Sequence, residues 1–532
     1  MRSLNISDRV PVMEKITQED LQHCIRVMEA LAGDSIILSS LSKEDRLRLL
    51  VSAGRTIHPE RTEVTRRLKA LRREKRKQKQ NRDRLVRASA EIRTARLDSV
   101  FVPPPRVLAL ESETNEAPAR ELEHPRACYV CKTEFTRLHF FYDSMCPKCA
   151  PFNYEKRFQT ASLQGRVALI TGARLKIGYQ AALMMLRAGA RVIVTTRFPQ
   201  DAAIRYAREP DFAAWGARLQ IHGLDLRHSP SVETFTRFVN QTYERLDILI
   251  NNAAQTVRRP PGFYSHLMST EKLAHEELPA DARALLLNHQ ACKVALTGPS
   301  AASGSTSANH PSSGDTTWLS SWHGRDPKVL GLTSSAELSQ IPYQCDDPEA
   351  SEALFPAGKL DADLQQVDLR GINTWRLTLG DVPTAEMLEV QLVNSVAPFI
   401  LCSKLKALML RHPTGEKHIV NVSAMEGKFA RHTKTDKHPH TNMAKAALNM
   451  MTLTSARDYA KSGIFMNAVD TGWVTDEDPA AISARKQEEH DFQPPLDIVD
   501  GAARVCDPFF SGLLTGKHSW GNFLKDYFPT EW

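Results

Sequence analysis

Val167-Ala168-Leu169-Ile170-Thr171 runs directly into Gly172-Ala173-Arg174-Leu175-Lys176-Ile177-Gly178, and an apolar helical pattern continues to Ala188. A short apolar run, a glycine-bounded turn and a helix make the first step of a wound α/β sheet. The N-terminus of the helix past such a turn leaves N–H groups unpaired at the positive end of the helix dipole, which suits an anion. A dinucleotide's pyrophosphate would sit there. On its own, a turn this poor in glycine is a loose signal.

Outward from the turn, short apolar runs recur at Val192 to Thr195, Leu219 to Gly223, Asp247 to Asn251, His418 to Val422 and Phe465 to Val469. Helical spacing lies between them at Ile177 to Ala188, Ser231 to Glu244, Ala385 to Leu410 and Met443 to Lys461. This alternation predicts an α/β fold, a Rossmann-like doubly wound parallel sheet with helices on both faces. It breaks after Asn251-Asn252-Ala253-Ala254, because the next convincing helix begins near Ala385 and a crossover needs only about a dozen residues. Residues 256–384 therefore read as an insertion. Its middle, Pro299 to Gly314, is dominated by Ser, Ala and Gly and is expected to be disordered, while its ends are apolar enough to fold onto the sheet.

The ordered set of the Gly172 turn, Asn251 to Ala254, Asn394, Ser423 and Lys445 resembles the short-chain dehydrogenase/reductase superfamily over about 163–255 and from Ala385 onward. The resemblance implies a nucleotide site in which Thr171, Gly172, Arg174, Lys176, Ile177 and Gly178 form the phosphate turn. It also implies that Asp225 meets the adenine, that Asn252 and Ala253 lie beneath the ribose, and that Lys445 holds the nicotinamide ribose. The second strand ends in Thr195-Thr196-Arg197, with no acid for a ribose 2′-hydroxyl and an Arg able to pair a 2′-phosphate, so NADP is expected rather than NAD. Lys176 stands where the family usually has a glycine. After the sixth strand, Asp470-Thr471-Gly472 replaces the family's Pro-Gly turn, leaving Gly472 to border the nicotinamide.

Carbonyl chemistry needs a hydride, a polarising hydrogen bond and a proton donor. The resemblance gives these tasks to Ser423, Lys445 and Asn394, and it puts Thr441 at the position of the family's tyrosine. A phenol titrates near 10 and an adjacent ammonium can lower it, whereas an aliphatic hydroxyl is far less acidic. His438, His440, Tyr264 and Tyr343 are the alternative donors to Thr441. The implied activity is an NADP-dependent oxidoreductase acting on an alcohol or carbonyl substrate. The competing reading is an inactive dinucleotide-binding scaffold or sensor.

Cys128-x2-Cys131 and Cys146-x2-Cys149, 14 residues apart, can offer four thiolates to one tetrahedral ion. Zinc suits four soft ligands, and a closed shell makes the site structural; iron could take the same geometry. Phe135, Phe140, Phe141 and Tyr142 between the knuckles would supply the packing of such a small zinc-ribbon-like module.

The remaining features bound the rest. The 532 residues, 42 % apolar and 25 % charged, are ordinary globular values. They divide into a helical, basic region at 1–122, the four-Cys module at 123–160 and the α/β domain at 161–532. Met1 to Arg26 lacks a secretory apolar centre, and no uninterrupted apolar stretch reaches membrane-spanning length, so the cytosol is the expected compartment. Arg61 to Arg96 holds 15 Lys and Arg against 4 acids, a local +11 within a whole-chain +7. With no Gly or Pro after Pro59, this segment is expected to form one solvated helix to about Asp98, able to meet an acidic protein surface or a nucleic-acid backbone. The helices at Ala385 to Leu410 and from Met443 would join two copies into a homo-oligomer, as the resemblance implies.

Overall fold

The structure, a computed structural model, describes residues 16–57, 61–97, 100–104, 120–297, 329–343, 351–430 and 434–532. The segment Pro299 to Gly314 lies outside them. Two compact units are present, Met1–Asn81 and Arg82–Trp532.

The first unit is helical: Gln18–Gly33, a 3-10 turn Ser35–Ser40, Lys43–Ile57 and the start of Arg61–Ala88. Local chemistry sets the helix starts. The Thr17 hydroxyl accepts from the Asp20 amide at 3.2 Å while the Asp20 carboxylate accepts from Thr17 N at 2.8 Å, a reciprocal cap. The Ser42 hydroxyl accepts from Asp45 N at 3.0 Å. No described residue from Ile16 to Asn81 is buried.

The basic helix ends at Ala88, about ten residues before the expected stop. Tertiary contacts override helix propensity here. Ala90 and Ile92 are buried against Phe141, and the Glu91 and Ile92 amides donate to the Phe140 and Phe141 carbonyls at 3.1 Å. Arg93 pairs with Asp143 at 2.7 Å and Asp491 at 2.8 Å, Arg87 pairs with the same two acids, and Arg96 donates to the Pro494 and Leu496 carbonyls. The C-terminal part of the basic run, Arg87 to Arg96, is thus structural.

In the second unit, β1 (Glu121–Ala127) and β2 (Glu134–Arg137) form an antiparallel pair around the cysteines. The main sheet contains β3 (Val167–Thr171), β4 (Arg191–Thr196), β5 (Leu219–Gly223), β6 (Ile248–Asn251), β7 (Lys417–Ser423), β8 (Ile464–Asp470), β9 (Phe523–Lys525) and β10 (Phe528–Thr530). Their order is β5-β4-β3-β6-β7-β8-β9-β10, parallel except for β10. Both faces are covered, which is why the central strands β3, β4 and β6 read as short apolar runs. Alternate residues feed two cores. Ala168, Ile170, Val192 and Val194 pack with helices Lys176–Arg187 and Ile498–Thr515, whereas Leu169, Ile193, Ile419 and Met466 pack with Ser229–Thr242 and Ala397–Leu410. The winding direction reverses between β3 and β6, opening a crevice at their C-terminal ends, where open α/β sheets bind ligands.

Part of the insertion closes the sheet's free edge. Helix Leu287–Thr297 lies against β5, with Asn288 N donating to Gln220 Oε1 at 3.2 Å, so the edge presents no long open ladder. The stretch Thr384–Leu410 is long and apolar enough to cross a membrane by composition, with mean hydropathy 1.4 in its most apolar window. Here 56 % of that window is buried, as befits a core helix. Its five residues Leu392–Val396 form a π-turn that carries Asn394.

Candidate active site

One continuous cleft of about 1250 Å³ follows the C-terminal ends of β3, β4, β6, β7 and β8. At its centre is the turn Gly172 to Gly178. Gly172 has φ +67°, and a Cβ there would stand 2.8 Å from the Ala253 Cα. A Cβ on Gly178 would stand 2.4 Å from Asn252 Nδ2. Thr171 Oγ1 accepts from the Asn252 and Ala253 amides at 3.1 and 3.0 Å, and Asn252 Nδ2 donates to the Thr171 and Gly172 carbonyls. Turn and floor are therefore one hydrogen-bonded unit. Lys176 keeps a positive φ of +54°, the backbone glycine favours, at a cost of roughly 1–2 kcal/mol. Its Nζ lies 3.9 Å from Asp363 of the insertion. Ile177 packs against Gly501 and, through the neighbouring core, Val474.

Beyond β4 the two arginines differ. Arg174 is committed to Asp201 at 2.7 Å. Arg197 donates to the Tyr264 hydroxyl at 2.7 Å, lies over that ring at 4.6 Å, and has no carboxylate within ion-pair distance among the described residues. Asp225 is buried and clasped by Arg227 at 2.6 Å, which also holds Glu389 at 2.7 Å. Burial alone would raise the Asp225 pKa, and the Arg227 guanidinium holds it below the usual carboxylate value. Its carboxylate thus already has a charged partner.

At the other end, Ser423 closes β7 and donates to Asn449 Oδ1 at 2.5 Å. Lys445, one turn earlier on helix Pro439–Ala460, is buried and donates to the Val422 carbonyl at 2.9 Å. Burial lowers its pKa to about 8, with Glu426 and Asp470 opposing the fall. Asn394 clamps Gln255, accepting from its amide and donating to its carbonyl, both at 2.8 Å. This fixes the chain leaving β6. Thr441 is buried with its hydroxyl donated to the Thr256 carbonyl at 3.2 Å, and it is not among the cleft-lining residues. His438 lines the cleft and stacks on Trp375 at 3.9 Å. His440 is buried beneath, its pKa lowered to about 4 by burial and by His438. Tyr264 lines the cleft beside Arg197, while Tyr343 hydrogen-bonds Glu389. Gly472 takes φ +77° at the mouth of the loop after β8.

The four cysteine sulfurs all lie within 4.8 Å of one another, with Cys131 and Cys146 at 3.7 Å. A tetrahedral ion with metal–sulfur bonds near 2.3 Å would set its sulfurs about 3.8 Å apart, so the cluster is compatible with a zinc module. Cys146 N donates to Cys128 Sγ at 3.3 Å, orienting that sulfur. Phe135, Phe141 and Tyr142 are buried around it, as their position between the knuckles predicts.

Two family models match, and each runs into one end of the insertion: short chain dehydrogenase over residues 166–274, and enoyl-(acyl carrier protein) reductase over residues 355–496. The chain belongs to the short-chain dehydrogenase/reductase superfamily. Among relatives of this superfamily member, an uncharacterized protein of Acanthamoeba polyphaga mimivirus is 29 % identical over 411 residues, 75 % of this chain and 74 % of its own. Retinol dehydrogenase 13 of Mus musculus is 34 % identical over 94 residues, 18 % of this chain and 28 % of that protein, so only a minority of the mouse enzyme's length is spanned. A solved Pseudomonas aeruginosa RhlG/NADP active-site complex is similar with TM-score 0.38 and 16 % identity, over 68 % of this chain and 95 % of its own.

Three residues of this dehydrogenase/reductase-type site escaped the sequence reading. Asn449 follows Lys445 by four positions and therefore shares its helix face, a signal that was available. Arg227 follows Asp225 by two, but its engagement of Glu389 is a long-range contact that no local pattern announces. Tyr129 lines the cleft from inside the first cysteine knuckle, and only the tertiary structure brings it there.

Proposed function

We propose that this chain binds NADP in the cleft and oxidises or reduces an alcohol or carbonyl compound by hydride transfer, with zinc as a structural ion in the four-Cys site. The observation that carries the reading is that the Gly172–Gly178 turn, Arg197, Ser423 and Lys445 line a single cleft at the reversal of the sheet. The four thiolates would close the zinc shell, leaving that ion no position for substrate.

What favours NADP is Arg197, the cation at the end of β4 whose described polar partner is a neutral phenol. A charge-assisted bond to a 2′-phosphate contributes about 1.5–3 kcal/mol. Arg197→Ala is therefore expected to weaken NADPH binding roughly 10- to 100-fold and to leave NADH binding unchanged, as read by calorimetry on the zinc-replete protein. An equal change in both affinities would sink the 2′-phosphate assignment.

The bound dinucleotide would supply the hydride, and the protein must supply or accept a proton. Thr441 has its hydroxyl on a backbone carbonyl, so the group suited to the task is the Lys445 ammonium, held near neutrality by burial. Ser423 would turn its hydroxyl from Asn449 to the substrate oxygen. The scaffold reading has one observation in its favour: Ser423, Thr441 and Lys445 all hydrogen-bond within the protein. NADPH binding without turnover of any aldehyde or ketone in a broad panel would decide for it.

Leu388, Phe399, Met443, Met450 and Leu453, on Thr384–Leu410 and Pro439–Ala460, are large apolar residues left exposed. We assign them to a contact between two copies. Sedimentation of the wild type is expected to give a dimer at micromolar concentration, and Phe399→Asp with Met450→Asp a monomer. A monomeric wild type would remove this assignment.

A further inference from the structure

The cysteine module does more than sit beside the cleft. Tyr129, within the first knuckle, and Lys132, directly after it, line the cleft together with Gly472 and Trp473. The knuckle fixes Tyr129 from several sides. Its amide donates to the Ser144 carbonyl at 2.8 Å, Cys128 N donates to Thr133 O at 2.9 Å, and Lys132 N donates to Cys128 O at 3.0 Å with Lys132 in a left-handed conformation, φ +64°. From this mount the Tyr129 hydroxyl accepts from the Trp473 amide at 2.9 Å. A Cβ on Gly472 would stand 3.0 Å from the same oxygen and 2.4 Å from Leu496 Cδ1. The loop after β8 is thus held between the phenol and Leu496, with Gly472 N donating to Asp470 at 3.2 Å.

The place of this loop in the sheet gives the contact its meaning. Asp470 pairs in register with Ser423 across β7 and β8, whereas Arg197 follows β4 on the other side of the reversal. The loop therefore borders the reacting end of the cleft. Val474, Leu496, Ile498 and Val499 from this side share a core with Cys128, Phe141, Tyr142 and Met145. A change in the knuckle has a short, packed route to the cleft wall.

We infer that Tyr129 is a positioning residue for the 470–475 loop, so that filling of the four-Cys site and binding of the nicotinamide half of the dinucleotide strengthen each other. This rests on the dinucleotide and zinc assignments above. With an empty site the four sulfurs lose their common ligand, Tyr129 loses its fixed mount, and the Trp473 amide loses its acceptor. Thermodynamic linkage makes the effect reciprocal: whatever factor zinc adds to NADPH affinity, NADPH adds to zinc affinity.

The test compares two probes on the full chain, NADPH and adenosine 2′,5′-bisphosphate, which carries only the adenine half. Each is titrated by calorimetry into zinc-loaded wild type, chelator-stripped wild type and zinc-loaded Tyr129→Phe, which keeps the ring and removes the acceptor. The expected result is an NADPH affinity weakened roughly five- to tenfold by Tyr129→Phe, the loss of about one hydrogen bond, and at least as much by stripping. Affinity for adenosine 2′,5′-bisphosphate should change less than about twofold in Tyr129→Phe, and the emission of the bound reduced nicotinamide should shift in that variant. If Tyr129→Phe leaves NADPH affinity and emission unchanged, or weakens both probes equally, the positioning role is wrong while the dinucleotide site stands. Zinc-loaded wild type that binds neither probe would overturn the dinucleotide site and this inference together.

Discussion

Lys445→Met is expected to lower turnover of a carbonyl substrate by roughly 10²- to 10⁴-fold, the usual contribution of a positioned general acid. The Lys445 side chain is buried, and its ammonium donates to the Val422 carbonyl at the end of β7 at 2.9 Å. Burial pushes its pKa down from 10.5 to about 8, against the pull of Glu426 and Asp470. Reduction consumes a proton and needs the charged form, so kcat/KM for reduction should be flat below pH 8 and fall tenfold per unit above it. Oxidation needs the neutral amine and should instead rise to a plateau above pH 8. Lys445→Arg keeps the positive charge but cannot release a proton at these values, so it should bind NADPH while failing to restore turnover. Initial rates from pH 6 to 9.5 in both directions check this. A limb near pH 8 that persists in Lys445→Met, or a wild-type profile flat through pH 8, would assign the proton to another group.

The sheet was legible because its central strands are buried on both faces, so β3, β4 and β6 read as short apolar runs whose ends lie within a residue of the observed ones. The site residues fell at strand ends, where a parallel sheet must expose them, and this is why Gly172, Asn252, Ser423 and Gly472 line one cleft. What stayed hidden depends on contacts distant in sequence. The break at Ala88 follows from the burial of Ala90 and Ile92, which no helix propensity encodes. Thr441 occupies the right sequence position, yet its hydroxyl meets the Thr256 carbonyl of the insertion, a partner 185 residues away. Lys176 is the informative exception: its positive φ preserves the backbone of a glycine, so the pattern departs in side chain while the turn keeps its path.

Arg157→Met is expected to destabilise the protein by about 3–5 kcal/mol, the cost of removing one partner from a buried ion pair. Arg157 Nη1 lies 2.7 Å from Asp497 and 3.0 Å from Asp500, with side-chain exposures of 1 %, 2 % and 0 %. Asp497 caps helix Ile498–Thr515 by accepting from the Val499 and Asp500 amides at 2.9 Å, and Asp500 returns the contact by accepting from Asp497 N at 3.0 Å. Tyr142 of the cysteine module donates to Asp500 at 2.5 Å, and Arg157 lies over the Phe141 ring at 4.4 Å. The arginine thus neutralises a helix cap and joins the module to the sheet at the same point. Methionine retains much of the packing on Phe141 and leaves two carboxylates buried without that cation. In the wild type, burial raises the Asp500 pKa against the pull of Arg157, whereas for Asp497 the guanidinium outweighs burial and holds it low. Removing the guanidinium raises both, so the variant's deficit should be largest at neutral pH and shrink as pH falls through the carboxylate range and the pair takes up protons. Urea midpoints of the zinc-replete proteins at pH 7 and pH 5 measure it. A difference below about 1 kcal/mol at pH 7, or one that grows on acidification, would mean that the module is held to the sheet by its apolar core alone.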